Sequence, residues 1–284
     1  MKSAMLVLCS WGIFTDSDVN ASEDISVSKI DSCGAPEKTP KIKRNDVYSG
    51  MPFQAGETAN YMVTYGGVYV GNAELEVKKP VKHAGVWNRV FSGVAKTGEW
   101  YKYVFVAHDR VMAYSRPWDF GVSKFYISQN ESSVLGTPFV MEKWIKYDHD
   151  KCEVNEKVKK QEDQPIEQQL KLVRGANDAL SAVFNLRTRD YEIGKIERAM
   201  VYTSENNWLL EAMPLVVEQV EVPAGKFEAV KLKLQTYLGK DLQQKGDVHM
   251  WIATKHPSRP MVLMTGEVKV GSVALKLKEF KKGN

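Results

Sequence analysis

Few residues in this sequence are of a type that could bind a metal ion or act as a general base, and their spacing does not suit either task. His108 and Asp109 are adjacent, and Asp148, His149 and Asp150 form a second group. A metal ion or a general base needs residues of these types. Neighbouring residues of a strand point to opposite faces, so the first pair would not aim at one ion. The second group is typical of a polar hairpin tip. We therefore predict no metal site and no cofactor.

Signatures of nucleophilic and phosphate chemistry are missing from the sequence. It has no Gly-x-Ser-x-Gly elbow and no glycine-rich loop leading into a helix. Paired carboxylates, as in a cell-envelope polysaccharide hydrolase, remain an alternative because spatial pairing cannot be deduced from spacing. The carboxylates to test first are Glu57, Glu74, Glu99 and Asp109. We predict no catalytic residue, and an enzyme is the less favoured class.

An aromatic segment from Trp100 to Tyr126 is the better candidate for a site. Aromatic rings with polar tips can line a pocket for a lipid chain or stack on sugar rings. An arginine among them can pair with a phosphate or carboxylate of a ligand. The alternative is that the rings form the core of a large β domain. The predicted ligand-binding residues are Trp100, Tyr101, Tyr103, Tyr114, Arg116, Trp118 and Tyr126.

Length and composition indicate a folded protein of ordinary type. The chain has 284 residues, of which 43% are hydrophobic and 26% are charged. This balance excludes wholesale disorder and a polytopic membrane protein. The formal net charge of +4 is too small to indicate nucleic-acid binding.

The N-terminus predicts export. Lys2 precedes an apolar run from Ala4 to Phe14, which is shorter than the roughly 20 residues of a membrane-spanning helix. Val19-Asn20-Ala21 offers small residues for a signal peptidase. We predict a signal peptide over residues 1–21, no transmembrane segment in the mature chain, and a location in the periplasm or at the outer membrane. An N-terminal core helix and a lipid anchor are the alternatives.

Two cysteines remain after removal of the signal peptide, which carries Cys9. An oxidising compartment favours a disulfide between Cys33 and Cys152. Two free thiols are the alternative.

The rest of the chain divides into an arm and a body. Residues 22–50 are polar and lack an apolar period, which indicates an extended arm. Within it, residues 22–49 are a candidate docking segment for an envelope protein partner. We predict a single β-rich domain over residues 51–284.

Alternation of apolar and charged side chains dominates this body. It is clear over residues 73–78, 230–235, 267–270 and 273–278, and it is typical of antiparallel strands with one solvated face. Gly66-Gly67 separates two such runs as a hairpin turn would.

A single helix is predicted near residues 177–187, with Asn177 as its N-cap, and residues 159–169 are predicted to be a solvated loop. With one helix available, the sheet must hide its apolar face by curling on itself. We therefore predict a mainly β fold, a curled antiparallel sheet in the form of a barrel or half-barrel.

Several stretches follow one another in a recognisable order: Pro52–Glu57, Tyr61–Gly66, Val70–Ala73, Asp178–Arg187, Val222–Ala229, Trp251–Thr254 and Arg259–Val262. In this order they resemble a family of exported bacterial proteins known as domain of unknown function 3108. The resemblance implies a periplasmic or surface all-β domain with a curled sheet, and it carries no established activity or catalytic residue. The polar arm, Cys33 and Cys152 depart from the family pattern.

These observations favour a non-enzymatic binding protein that holds a lipid-like or glycan ligand within the curled sheet. The hydrolase and a protein–protein interaction module that docks through its arm are the alternatives.

Overall fold

The computed structural model describes residues 33, 39–133, 136–239, 241–242, 246–267 and 271–284. The predicted signal peptide and most of the predicted arm lie outside these residues, so both stay predictions.

The described residues form fifteen strands and one α-helix, α1 (Ala179–Leu186), with short 3-10 turns at Arg44–Asp46 and Glu99–Tyr103. The strands are β1 (Thr58–Tyr65), β2 (Val68–His83), β3 (Val86–Thr97), β4 (Phe105–Ser115), β5 (Val122–Ser133), β6 (Gly136–Asp148), β7 (Glu153–Lys160), β8 (Ile166–Lys171), β9 (Glu197–Thr203), β10 (Asn206–Val222), β11 (Gly225–Leu238), β12 (Asp241–Leu242), β13 (Val248–Ala253), β14 (Met261–Glu267) and β15 (Ser272–Lys281).

All the strands belong to one antiparallel sheet. Its order is β8-β7-β6-β5-β4-β3-β2-β1-β15-β14-β13-β11-β10-β9, and β12 pairs with β11 at the side of this path. The sheet curls without closing into a barrel. The predicted mainly β class, the curled antiparallel sheet and the single short helix are therefore confirmed.

The two edges of the sheet meet through the segment that follows β8. The Asn177 amide donates to the Met200 carbonyl at 2.8 Å, and the Tyr202 amide donates to the Asn177 carbonyl at 2.8 Å. Nearby, Asn207 Nδ2 donates to the Lys171 carbonyl at 2.9 Å. These bonds hold the two edges of the sheet together, although β8 and β9 do not form the continuous backbone hydrogen bonding of paired strands.

Alternation explains which face is buried. Along β11, Val230, Leu232 and Leu234 are buried, whereas Lys231 and Lys233 lie on the outer face. The inner faces of the other strands supply the rest of the core. Burying such side chains stabilises the fold by about 1.5–3 kcal/mol each. One continuous apolar surface therefore lines the inside of the curl.

The helix is completely buried on the inside of the sheet. Asp178 is its N-cap, one residue later than predicted, because its carboxylate accepts the amides of Leu180 and Ser181 at 2.7 and 3.1 Å. The Phe184 ring of the helix stacks on Phe91 at 4.0 Å between ring centroids. Asn177, the predicted cap, instead bonds to β9.

The predicted solvated loop over residues 159–169 is wrong in part. β7 continues to Lys160 and β8 begins at Ile166, so only residues 161–165 form the turn. Leu170 packs against the core, and the polar residues of β8 lie on an exposed edge. An edge strand carries little apolar pattern, which hid this strand in the sequence.

The connections between strands β1 to β5 lie alternately at two opposite ends of the sheet. We call the end with residues 66–67 and 98–104 the hairpin end, and the end with α1 and residues 47–57 the helix end. Val47 and Tyr48 are buried in the core at the helix end, and the Tyr48 hydroxyl donates to the Lys78 carbonyl at 2.8 Å. The last residues of the predicted arm therefore pack into the folded body.

A disulfide joins Cys33 to Cys152, with their Cα atoms 5.7 Å apart. Arg174 reinforces this junction by donating to the carbonyls of Cys33 and His149 at 3.1 and 2.9 Å. Cys33 is thereby fixed to the turn between β6 and β7.

Candidate functional site

The seven predicted ligand-binding residues lie in three separate places. Trp100, Tyr101 and Tyr103 belong to the turn between β3 and β4 at the hairpin end. Trp100 is 50% exposed and Tyr103 is 84% exposed, whereas Tyr101 packs against the core. Exposed rings of this kind are available for contact with a ligand or a surface.

Tyr114 and Tyr126 lie on the outer face of the sheet, on β4 and β5. The Tyr126 hydroxyl donates to Glu142 Oε1 at 2.7 Å. The ring of Tyr114 lies 5.4 Å from the ammonium of Lys124. Both rings therefore pack across strands on the face opposite the core.

Arg116 and Trp118 occupy the turn between β4 and β5 at the helix end. Arg116 Nε donates to Asp119 Oδ1 at 3.0 Å, and its guanidinium lies 5.2 Å from the Trp118 ring. The charge of Arg116 is thus paired within the protein. The structure does not bring the seven residues together, and their role in binding stays a prediction.

The four carboxylates considered for hydrolysis are also dispersed. Glu57 is buried against Arg187, Glu74 is half-buried on the outer face of β2, and Glu99 pairs with Lys102 in the exposed turn. Asp109 is buried on the inner face of β4. Asp109 lies beside another carboxyl side chain, which is not one of these four carboxylates.

A buried polar cluster occupies the inner face near the hairpin end. It consists of Asp109 on β4 with Gln129 and Glu131 on β5, which are only 1%, 3% and 6% exposed. Asp109 Oδ1 accepts the Asn130 amide at 3.2 Å. We call these three side chains the carboxyl cluster.

Antiparallel register brings the carboxyl cluster together. Ala107 faces Glu131, and Arg110 faces Ser128, so Asp109 and Gln129 lie between these pairs. Asp109 shares its face with the core residues Val111 and Ala113. The inner face therefore changes from apolar to polar towards the hairpin end.

Burial dominates the electrostatics of this cluster. It raises the pKa of Asp109 to about 8, with a further increase from the charge of Glu131. Burial also raises the pKa of Glu131, and its hydrogen bond with Asp109 opposes that increase. Two close carboxyls cannot both ionise readily, so the pair retains a proton at neutral pH.

Three polar atoms of the cluster lack an outside partner. Within the described part of the chain, no group beyond the cluster bonds Asp109 Oδ2, Gln129 Nε2 or Glu131 Oε1. A buried polar atom left unpaired costs about 1–3 kcal/mol. Because Asp109 and Glu131 share a hydrogen bond, Gln129 Nε2 is the cluster atom that requires an explanation within the described residues.

The spacing of the two carboxyls bears on the hydrolase alternative. Glycosidases hold their carboxyls about 5–5.5 Å or about 6.5–9.5 Å apart, so that a sugar or a water fits between them. Asp109 and Glu131 are hydrogen-bonded to each other, which is closer than either arrangement. This pair does not have the geometry of a glycosidase.

Two small residues lie near the cluster, and a group of exposed apolar side chains lies at the same end of the sheet. Ala95 and Ala107 form a small group with Phe105, apart from the main core. Exposed apolar side chains lie at the hairpin end or on the adjoining outer face, and we call them the apolar rim: Val68, Trp100, Tyr103, Val104, Val106 and Val140.

The histidines do not form a metal centre. His149 was predicted within a polar hairpin tip, but it is buried: Nε2 donates to the Val122 carbonyl at 2.7 Å, and Nδ1 accepts the Gly175 amide at 3.1 Å. Burial, then the charge of Arg116, lowers the pKa of His149 to about 4. Within the described ranges, no three His, Cys, Asp or Glu side chains are placed to hold a metal ion.

Sequence reasoning missed Gln129 and Glu131. Their signal was present, because they continue the inward positions of Phe125 and Ile127 along β5. A polar residue on the apolar face of a strand is informative, since burying it is costly.

The open, curled antiparallel sheet with a buried helix defines a barrel-like all-β protein. The chain belongs to the family described as "Protein of unknown function (DUF3108)", whose model matches residues 60–278. The predicted family is therefore confirmed. No curated protein gives a significant match.

A solved structure with low sequence identity shares the architecture. A beta-barrel-like protein of domain of unknown function DUF1849 from Brucella abortus is 12% identical, covers 80% of this chain and 98% of its own, and has a TM-score of 0.51.

Two further structures resemble the chain more distantly. A protein with a YmcC-like fold from Bacteroides fragilis has 11% identity, covers 82% of this chain and 98% of its own, and has a TM-score of 0.33. A protein structure from Parabacteroides distasonis has 13% identity, the same coverages and a TM-score of 0.32. In the part of this chain that is described, no helix has the length and apolar character to cross a bilayer.

Proposed function

We propose that this protein is exported to the cell envelope and binds an amphipathic, lipid-like ligand at the hairpin end of its curled sheet. The N-terminal sequence and the Cys33–Cys152 disulfide support export, because disulfides persist in oxidising compartments. The binding role is non-enzymatic, and the arm over residues 22–49 remains a candidate segment for a protein partner.

The observation that carries the binding proposal is the apolar rim beside the carboxyl cluster. Of the twelve large apolar side chains that the described residues expose, six form the apolar rim, whereas Val81, Ile166, Ile193, Val216, Val217 and Leu242 lie outside it. An exposed apolar patch beside polar groups is typical of a ligand or surface contact. The rim would contact the ligand chain and the cluster its head.

The helix end is filled by packed aromatic rings and offers no entrance to a ligand. Phe53, Phe91 and Phe184 pack together there, with ring centroids 4.0 to 5.6 Å apart. A ligand would therefore enter from the hairpin end, where Trp100 and Tyr103 are exposed.

A titration with decylphosphocholine below its micelle concentration tests this function. We expect saturable binding by calorimetry, weakened about tenfold in a Trp100→Ser/Tyr103→Ser variant, since each ring buries a large apolar area. A Val216→Ser/Val217→Ser variant, which alters exposed apolar residues away from the rim, is the matched control. Equal affinity of the rim variant and the wild-type protein would contradict the proposal. Native mass spectrometry of protein purified from the envelope should show a bound lipid-like mass.

A further inference from the structure

We infer that the outer face of strands β4 to β6 binds an acidic polysaccharide. This site lies on the face opposite the core, goes beyond the proposed function and does not depend on it. The observation that carries it is a pair of facing lysines beside a row of aromatic rings. We call the side chains concerned the basic aromatic face, and they are Arg110, Tyr114, Lys124, Tyr126, Trp144 and Lys146.

The pairing of the strands places these side chains on one surface. Tyr126 and Trp144 face each other across β5 and β6, with their ring centroids 5.8 Å apart. In the next row, Lys124 faces Tyr114 on one side and Lys146 on the other. Neighbouring strands lie about 4.8 Å apart, so the rings and the lysines form adjacent rows across the sheet.

The basic aromatic face is open to a ligand. The described strands belong to one sheet and α1 is on its inside, so no described helix or second sheet packs over Tyr126 and Trp144. Arg110 and Lys146 are exposed, and the rings are only partly buried. A ligand can therefore reach these side chains without entering the core.

Lys124 and Lys146 repel each other. They hold directly opposite positions on β5 and β6, where like charges destabilise a sheet. Among the described residues, no carboxylate forms an ion pair with either of them, and Glu167 on β8 is paired with Lys157 instead. Burial, and then the charges of Lys124 and Lys146, lower the pKa of His83. An anion bound between the two lysines would remove the repulsion, so the pair favours an anionic ligand.

Arg110 lies on the other side of the ring row, so cations flank the rings. It is exposed, and its Nε lies 3.4 Å from His108 Nε2. Glu142, which is on the same face, accepts the Tyr126 hydroxyl at 2.7 Å rather than pairing with Arg110. An elongated ligand with several negative charges would therefore meet a cation on each side of the rings.

The polar side chains of this face indicate a sugar polymer rather than a nucleic acid. Sugar hydroxyls donate hydrogen bonds, and Glu142, Asn130 and Asn155 present acceptor oxygens on the outer face. The backbone phosphates of a nucleic acid have no donor for them. Sugar rings also stack on aromatic side chains, which Tyr126 and Trp144 provide. These groups together match a polysaccharide that carries both hydroxyl and acidic groups.

Polygalacturonate and its methyl ester test the inference, because they share one sugar backbone and differ in charge. We expect saturable binding of polygalacturonate by calorimetry at low salt, weakened by added salt. The ester should bind about tenfold more weakly, since it cannot pair with the lysines. Equal affinities for the two polymers, or no binding of polygalacturonate, would overturn the inference.

Two variants test the rings and the cations separately. Trp144→Ala should weaken binding of polygalacturonate about tenfold by removing a stacking surface. Lys124→Gln/Lys146→Gln should weaken it by a similar factor and remove most of the difference between the polymer and its ester. Lys278→Gln/Lys281→Gln, which removes two exposed lysines of β15, is the matched control and should bind as the wild-type protein does.

Circular dichroism checks that each variant retains the sheet. If Trp144→Ala fails to fold, Tyr126→Leu replaces it, and the lysine variant alters only side chains at the surface. A Trp100→Ser/Tyr103→Ser variant should bind polygalacturonate normally, so failure of this site and failure of the proposed function at the hairpin end are distinguished.

Other polyanions decide whether the site recognises a sugar. Polyacrylate has the charge but no sugar rings, so it should bind more weakly and be insensitive to Trp144→Ala. Binding of polyacrylate as tight as that of polygalacturonate would overturn the inference in favour of simple charge attraction. Tighter binding of oligothymidylate, or of vesicles containing phosphatidylglycerol, at the same lysines would overturn it in favour of a nucleic acid or a membrane surface.

Discussion

Glu57 Oε1 accepts a hydrogen bond from Arg187 Nη2 at 2.7 Å, and both side chains are almost entirely buried. The same guanidinium donates to the carbonyls of Ser258 and Arg259 at 2.7 and 3.0 Å. This arginine therefore ties the end of α1 to the start of β1 and to the connection between β13 and β14. Burial raises the pKa of Glu57, and the charge of Arg187 opposes that shift.

Glu57→Ala should lower the free energy of unfolding by about 3–5 kcal/mol, because it leaves the Arg187 charge buried without its partner. Urea denaturation measures this change. Glu221→Ala breaks an exposed pair with Lys226 and should change the same quantity by less than about 1 kcal/mol. A double Glu57→Leu/Arg187→Leu variant should recover part of the loss. Similar effects at Glu57 and Glu221 would contradict this account.

His149 should make the protein less stable in mild acid. Its pKa is lowered to about 4 in the folded state, against about 6.5 when unfolded, so protonation favours unfolding. This contribution is fully present above pH 6.5 and is lost as the pH falls towards 4, up to about 3 kcal/mol.

Urea denaturation between pH 7.5 and 4.5 tests this prediction. The loss of stability should be smaller in His149→Asn than in the wild-type protein, since the variant has no imidazole to protonate. His108→Asn changes a histidine on the outer face of β4 and should retain the steeper dependence. Equal slopes for His149→Asn and the wild-type protein would show that the buried ring is not responsible.

Asp109→Asn should stabilise the protein in mild alkali. The pKa of Asp109 is raised to about 8, so its contribution to stability is present below pH 4 and is lost as the pH rises through 8. At pH 8 the carboxyl ionises more readily in the unfolded state, which favours unfolding. Asparagine cannot ionise, so we expect the free energy of unfolding to rise by roughly 1–3 kcal/mol at pH 8.

Thermal unfolding of Asp109→Asn at pH 5 and pH 8 measures this effect. The gain in Tm should be larger at pH 8, and Glu74→Gln, an outer-face substitution on β2, should show no such difference. A variant less stable than the wild-type protein at pH 8 would mean that the ionised carboxylate is the favoured form.

Reduction of the Cys33–Cys152 disulfide should lower the Tm. The bond spans a sequence separation of 119 residues, and the loss of chain-entropy restraint corresponds to at most about 5 kcal/mol. Thermal unfolding with and without a reductant measures the shift. Cys33→Ser should unfold at the lower temperature and should not respond to the reductant. An unchanged Tm on reduction would show that the crosslink contributes nothing to the stability of the folded body.

The strands were predictable because alternation is local. Apolar side chains recur at every second position within residues 73–78 and 230–235, and the geometry of an extended chain sets this period. β8 was missed because an exposed edge strand has little apolar pattern. The helix cap was displaced by one residue, since Asn177 and Asp178 are both good caps and only the contact of Asn177 with β9 decides between them.

The sequence by itself determined the β class, the single helix and the family, because each depends on neighbouring residues or on ordered motifs. Only the tertiary structure decided which polar groups meet. Asp109 and Glu131 are joined by the register of β4 and β5, and Glu57 meets Arg187, from which it is 130 residues distant in the sequence. A shift of one residue in a strand turns every side chain to the other face, so such contacts depend on the packing of the whole sheet.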